Sequence, residues 1–148
     1  MFQMPANQDH AHDVIAIGRS SVDLYGQQIG SRLEDIATFS KSVGGCPANI
    51  AVGTARLGLK SGLITGVGAE QMGRFIIEQC AREGVATQGI KIDKERLTAL
   101  VLLAVEDEGV SPMIFYRPDC ADMAITEDDV DEAFVKSSKS VLVSGTHF

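Results

Sequence analysis

Asp13-Val14-Ile15-Ala16-Ile17-Gly18 is a short apolar run stopped by glycine, and it constrains the fold more than any other segment. The run lacks the polar alternation of a strand wetted on one side, so it predicts a strand covered on both faces, as in a parallel sheet. Leu63-Ile64-Thr65 and Ser140-Val141-Leu142-Val143 repeat the pattern. Pro47 to Leu57 carries Ile50, Ala51, Thr54, Ala55 and Leu57 on one face, with proline in the first turn and Gly58 just past the end, which predicts a helix. Met72 to Arg82, with Phe75, Ile76 and Gln79-Cys80 at helical spacing and Gly84 as terminator, predicts a second. Strand, helix, strand, helix implies a right-handed parallel α/β layer. At 148 residues, 45% of them hydrophobic, the chain can bury one core, so one globular unit is expected over residues 13–148.

Two β-rich excursions interrupt that layer. Val22 to Ile29 and Ile36 to Val43, separated by Gly30-Ser31, read as an exposed antiparallel excursion, a small β lid over residues 22–43. Leu97 to Val105 and Met113 to Tyr116, joined by Glu106-Asp107-Glu108-Gly109 as a hairpin turn, read as a second lid segment over residues 97–117. Thr126-Glu127-Asp128-Asp129 predicts a capped helix start, the helix running to about Val135. A strand at 141–143 in a parallel sheet is normally flanked and covered, so an exposed apolar edge, with association or marginal stability, is expected of this chain. The polar leader, residues 1–12, is expected to be disordered, its His10 and His12 included.

A formal charge of −7 repels phosphate backbones and anionic lipid, which argues against a nucleic-acid or membrane partner. Cys46, Cys80 and Cys120 are widely spaced, odd in number and form no CxxC pair, which favours reduced thiols in a cytoplasm and offers no metal site. No apolar run approaches the roughly 20 residues of a membrane span.

Chemistry concentrates in three places. Gly44 and Gly45 stand immediately before a helix, in Gly44-Gly45-Cys46-Pro47-Ala48-Asn49, where a ligand can approach the backbone closely and Asn49 can both donate to and accept from a hydroxyl; an ordinary loop-to-helix junction has the same look. Asp23 follows the carboxyl end of the first strand, where open α/β sheets place ligands, although taken alone it also reads as a solvated turn aspartate. Gly66-Val67-Gly68 lacks the ending of a phosphate loop, and Gly73 comes too late for G-x-G-x-x-G, so this run reads as a structural turn.

In order along the chain, Gly18-Arg19-Ser20-Ser21-Val22-Asp23, Gly44 to Asn49, and Gly66-Val67-Gly68-Ala69-Glu70-Gln71-Met72-Gly73 resemble the motifs of the PfkB family of ribokinase-like carbohydrate kinases, as does Glu83-Gly84-Val85. The resemblance implies a ribokinase-like parallel sheet with flanking helices and a small antiparallel β lid, incomplete at the carboxyl end. It also implies a sugar or sugar-acid substrate over the strand ends, with Asp23 and Asn49 holding hydroxyls and Gly44 and Gly45 presenting backbone groups. Phe115-Tyr116-Arg117 is similar to a segment of kinases acting on keto-deoxy sugar acids, which implies that Arg117 faces a carboxylate or keto group; an arginine at a strand end also has a surface reading. A homodimer through the β lid, and ATP with Mg2+ as cofactors of a complete enzyme, follow from the same resemblance.

Two departures stand out. Glu70 sits where the family has aspartate, and the family's Gly-x-Gly-Asp segment, which supplies the catalytic base and an anion hole, is not found in the 148 residues. The resemblance therefore covers the amino-terminal half of a family member, and it implies no catalytic residue here, no tight cofactor binding and no phosphoryl transfer by this chain alone. A non-catalytic sugar-binding or dimerising module and a Rossmann-type dinucleotide-binding domain are the alternatives.

Overall fold

The computed structural model describes residues 10–106 and 111–144. Four parallel strands form the central sheet: β1 (His12–Ile17), β4 (Ser61–Gly68), β5 (Ile90–Asp93) and β8 (Ser138–Val143), in the order β5-β4-β1-β8. The sheet thus grows outward from β1 in one direction and then reverses, and the crevice beyond the carboxyl ends of β1 and β8 is the switch point at which such sheets bind ligands.

Both faces of the two central strands, β1 and β4, are covered, which explains their unbroken apolar runs. On one face Ala16, Leu63 and Val67 pack against helix α1 (Cys46–Arg56) through Ala48 and Ala51, and against helix α2 (Gln71–Arg82) through Ile76 and Cys80. On the other, Ile15 and Ile64 receive Phe134 from the short helix α3 (Glu132–Lys136). Each buried Leu, Ile, Val or Phe side chain among these contributes roughly 1.5–3 kcal/mol. Burial also pushes the Cys80 thiol up to about 11, leaving it inert at neutral pH.

A second sheet stands against the same core. It comprises β2 (Ser21–Gly26), β3 (Phe39–Gly44), β6 (Leu100–Leu103) and β7 (Met113–Tyr116) in the order β3-β2-β6-β7. Its inner face contributes Val22, Leu24 and Val43 to the cluster formed by the helices, so the sheet is anchored to the core. Both expected excursions are antiparallel pairs, β2 with β3 and β6 with β7, but β2 and β6 join them in parallel, so the lid sheet is mixed rather than antiparallel throughout. The apolar run Leu100–Leu103 suits a strand bonded on both sides, and the chain returns through β5 to enter it alongside β2.

Three other boundaries differ from expectation. His12 belongs to β1, where its ring meets Phe134 edge-to-face at 5.1 Å and its Nδ1 lies 2.9 Å from the Ser137 hydroxyl; residues 1–9 and most of the turn at 106–109 lie outside the described residues. β5 was not read as a strand: its four residues alternate in polarity as an edge strand's do, but the run is very short, and it pairs only with β4 among the described strands. The single helix expected from Thr126 to Val135 is split. A capping box between Thr126 and Asp129 closes a 3-10 turn over Glu127–Asp129, Val130 is extended, and Asp131 caps α3 afresh. At the far end, Val141 and Val143 of β8 are exposed, and β8 pairs only with β1 among the described strands.

Asp129 carries a testable consequence. Its carboxylate accepts from Lys91 Nζ at 2.7 Å and from the Thr126 backbone N–H at 2.9 Å, and these bonds, Lys91 first, hold it down to about 2 from 3.8. Because the folded chain binds this proton more weakly than the unfolded chain, the stability it contributes is complete above pH 3.8 and is lost as pH falls toward 2. A proton titration of Asp129 by NMR should show a midpoint near 2, with the tie from β5 to the 126–129 turn loosening over the same interval. A midpoint at 3.8 or above would contradict the ion pair.

Candidate functional site

The connection from β1 to β2 and the entrance to α1 are packed into one another. Gly45 caps α1 with φ +94, a conformation that side chains rarely adopt, and a Cβ there would strike the Arg19 carbonyl and approach Ser20 Cα to 2.9 Å. Ser20 is fully buried and hydrogen-bonds Thr65 of β4 at 3.0 Å. The turn at 18–20 is thereby held to the helix entrance on one side and the sheet on the other. Gly44 has a different reason: a Cβ on it would overlap all three outer atoms of the Asp23 side chain. The twin glycines are therefore required by protein atoms that lie over them.

Asp23 rests on Gly44 and accepts a hydrogen bond from Ser21 Oγ at 2.8 Å. Register then sets its neighbours. Ser42 on β3, Asp23 on β2, Val101 on β6 and Phe115 on β7 are successive cross-strand partners, so their side chains form one row on one face of the second sheet. A cavity lies beside each end of that row. One, of about 420 Å3, is lined by Ser42, Lys41, Asn49 and Phe75 among others, with Lys41 Nζ 4.0 Å from the Phe75 ring centre. The other, of about 440 Å3, is lined by Arg19, Phe115, Arg117, Pro118 and Met123.

The sequence-derived candidates are thus partly gathered. Asp23, Gly44 and Gly45 are contiguous at the turn. Asn49 lines the first cavity and Arg117 the second, and Asp23 lines neither. The carboxylate is drawn down onto Gly44, whereas α1 carries Asn49 past β3 toward Lys41 and Phe75. Asp23 stands in the row between the two cavities, one strand from Ser42 and two strands, about 10 Å, from Phe115.

Two residues escaped the sequence reading. Asp122 is fully buried and takes Arg117 Nε at 2.7 Å, while its Oδ1 and Arg117 Nη2 are buried without a partner. Its position traces to Gly66 within β4, where a Cβ would overlap the Ala121 carbonyl, so the missing side chain admits the 3-10 turn Ala121–Ala124 against the sheet. A glycine inside an otherwise apolar strand marks a close approach of this kind. Arg19 is the other: its guanidinium carbon lies 5.4 Å from the Phe115 ring centre and its Nε is buried without a partner.

The turn expected at Gly66-Val67-Gly68 is instead the end of β4, which pairs there with β5, and the run on to Gly73 is filled by protein atoms. A Cβ on Gly68 would meet the Arg96 carbonyl at 2.7 Å and Thr98 N at 3.0 Å, and one on Gly73 would overlap the Gly68 carbonyl. Glu70 caps α2 by accepting from Met72 N and also accepts from Thr98 N at 3.0 Å. Burial raises its carboxyl, but hydrogen bonds from the Thr98 hydroxyl and from the N–H groups of Met72, Thr98 and Gly73 outweigh this and leave it below the usual carboxylate range. Glu83, in the Glu83-Gly84-Val85 segment, joins the two helices by a two-pronged bond with Arg56, both distances 2.7 Å.

Known proteins agree with this architecture. The 5-dehydro-2-deoxygluconokinases of Geobacillus kaustophilus and Halalkalibacterium halodurans are 38% identical to the chain over 144 residues and 40% identical over 139 residues. These matches take in 97% and 93% of this chain but only 43% and 42% of the relatives, so the chain spans less than half their length. An uncharacterized sugar kinase of Pyrococcus horikoshii superposes with a TM-score of 0.81 at 34% identity, over 88% of this chain and 44% of that one. The fructokinase of Halothermothrix orenii does so with a TM-score of 0.80 at 32% identity, over 91% and 47%. The model of the pfkB family carbohydrate kinases matches residues 11–148. A strand order of doubly wound type had left a dinucleotide-binding domain open, and this match sets that alternative aside: the chain belongs to the pfkB family of carbohydrate kinases.

Proposed function

We propose that the chain is the substrate-binding part of an ATP-dependent kinase of a sugar or keto-deoxy sugar acid, of the 5-dehydro-2-deoxygluconokinase kind. The carbohydrate lies across the row Ser42–Asp23–Val101–Phe115, with Asp23 accepting from hydroxyls, Asn49 and the backbone of Gly44 and Gly45 engaging the polyol beside Ser42, and Arg117 meeting an acid or keto group at the other end. The observation that carries this reading is the row itself, in which one carboxylate stands between a cavity with an amide and a cavity with guanidinium groups. Family membership and the relatives named 5-dehydro-2-deoxygluconokinase support it.

In the complete enzyme ATP would supply the phosphoryl group and Mg2+ would balance its charge; a structure of the Pyrococcus horikoshii relative is described as a complex with ATP. We expect neither group to bind this chain tightly. The space over Gly66, Gly68 and Gly73 is filled by protein atoms, and no three histidine, cysteine or acidic side chains gather for a cation among the described residues. With no Gly-x-Gly-Asp segment among the 148 residues, we expect no ATP turnover by this chain alone. The second sheet acts as the lid and as the face of a homodimer, a reading supported by β7, whose Met113, Ile114, Phe115 and Tyr116 are all exposed. Cytoplasmic residence is the reading that the free cysteines favour. Among the described residues no helix is long and apolar enough to cross a membrane.

Calorimetry and saturation-transfer NMR with 5-dehydro-2-deoxygluconate test the reading. The chain should bind, and Asp23→Ala should weaken binding by about 10- to 100-fold, the range of hydrogen bonds to a charged group. Silence across a broad panel of sugars and sugar acids, with the chain demonstrably folded, would overturn it.

A further inference from the structure

Arg19 occupies the switch point of the central sheet, immediately after β1 and Gly18. Its backbone is fixed by the packing over Gly45 and by the Ser20–Thr65 bond, so the side chain is presented from a rigid turn. The guanidinium lies over Phe115, and its Nε is shut off from solvent with no acceptor. Leaving a charged donor unsatisfied is costly, and an incoming acceptor removes that cost. Arg117 lines the same cavity with its own unpartnered Nη2.

Charge balance separates the two arginines. Arg117 is matched by the buried carboxylate of Asp122, and the other lining residues, Phe115, Pro118 and Met123, carry no charge. The surplus positive charge at this cavity therefore belongs to Arg19, and Arg117 alone would present an already neutralised pair to an anion. We propose that Arg19 and Arg117 together grip the carboxylate of a sugar acid, Arg19 supplying the net charge and Arg117, oriented by Asp122, supplying a directed N–H. Two planar forks suit a planar carboxylate, and Phe115 keeps the Arg19 plane in place. Acids are then selected over neutral sugars that offer the same hydroxyls to Asp23. This rests on the reading that the carbohydrate lies across the second sheet.

The test compares 5-dehydro-2-deoxygluconate with 2-deoxyglucose, which has no carboxylate. In the wild-type chain the Nε–H NMR signals of Arg19 and Arg117 should move with the acid and stay still with the neutral sugar. Arg19→Gln should weaken the acid by about 10- to 100-fold and leave the neutral sugar unchanged. Arg19→Lys, which keeps the charge and loses the fork, should fall between. Because the Arg19 Nε has no partner to lose, the melting temperature of these variants should stay near that of the wild type. Equal weakening of both ligands, or no weakening of the acid, overturns the clamp. If Arg19→Gln leaves the acid untouched while Asp23→Ala weakens both ligands, the sheet reading stands and the clamp falls. If Arg19→Gln weakens the acid while Asp23→Ala changes neither ligand, the clamp stands and the polyol site falls. Failure of the acid to bind the wild-type chain overturns both.

Discussion

Replacing Arg117 with alanine should lower the melting temperature by about 10 °C, a loss of roughly 3–5 kcal/mol, because it strands a carboxylate inside the protein. Asp122 is fully buried and Arg117 Nε is its charged partner at 2.7 Å, with only 18% of the Arg117 side chain exposed. Asp122→Ala should cost less, since Arg117 lines an open cavity and can turn its guanidinium toward water, whereas Asp122 has no such exit. The double variant Arg117→Ala with Asp122→Ala should recover much of the loss, because neither charge then remains buried alone. Thermal melts of the four proteins decide the matter. Simple addition of the two single losses would show that the ion pair does not couple these positions.

Gly44→Ala should weaken sugar binding by about 10- to 100-fold, as Asp23→Ala does, while leaving a folded chain destabilised by about 1–3 kcal/mol, the usual range for a methyl forced into occupied space. The new Cβ falls on the Asp23 carboxylate, so one of the two must move, and Asp23 is the mobile partner. A second substitution identifies the cause: in an Asp23→Ala background, Gly44→Ala should cost little stability, since the space over Gly44 is then empty. Binding should stay as weak as in Asp23→Ala alone, because the carboxylate is gone. Equal destabilisation in both backgrounds would place the conflict elsewhere than at Asp23.

Much of the fold could be read along the chain because it is written in local patterns. Asp13 to Gly18 gave β1 because a strand buried on both faces tolerates no polar alternation, and α1 was bounded within one residue by Pro47 and Gly58. Parallel pairing of β2 with β6 was not legible, since those strands are brought together by a core that neither segment encodes alone. The helix expected at 126–135 is split at the extended Val130, with Asp131 capping α3 afresh, while Asp129 is tied to Lys91, which is distant in sequence. Among the site residues, Asp23 and the twin glycines could be found from their place after β1 and before α1. Their mutual contact could not, because it depends on the β2–β3 register. Asp122 and Arg19 carry no motif weight of their own; burial and missing partners, which only coordinates reveal, brought them forward.

One titration bears most directly on whether a single ligand joins the two ends of the second sheet. In a 15N-labelled chain, 5-dehydro-2-deoxygluconate should perturb the signals of Ser42, Asp23 and Asn49 together with those of Arg19 and Arg117, all following one binding curve. Shifts confined to one cavity, or two groups of residues following different curves, would show that no carbohydrate spans the row and would contradict the site described above.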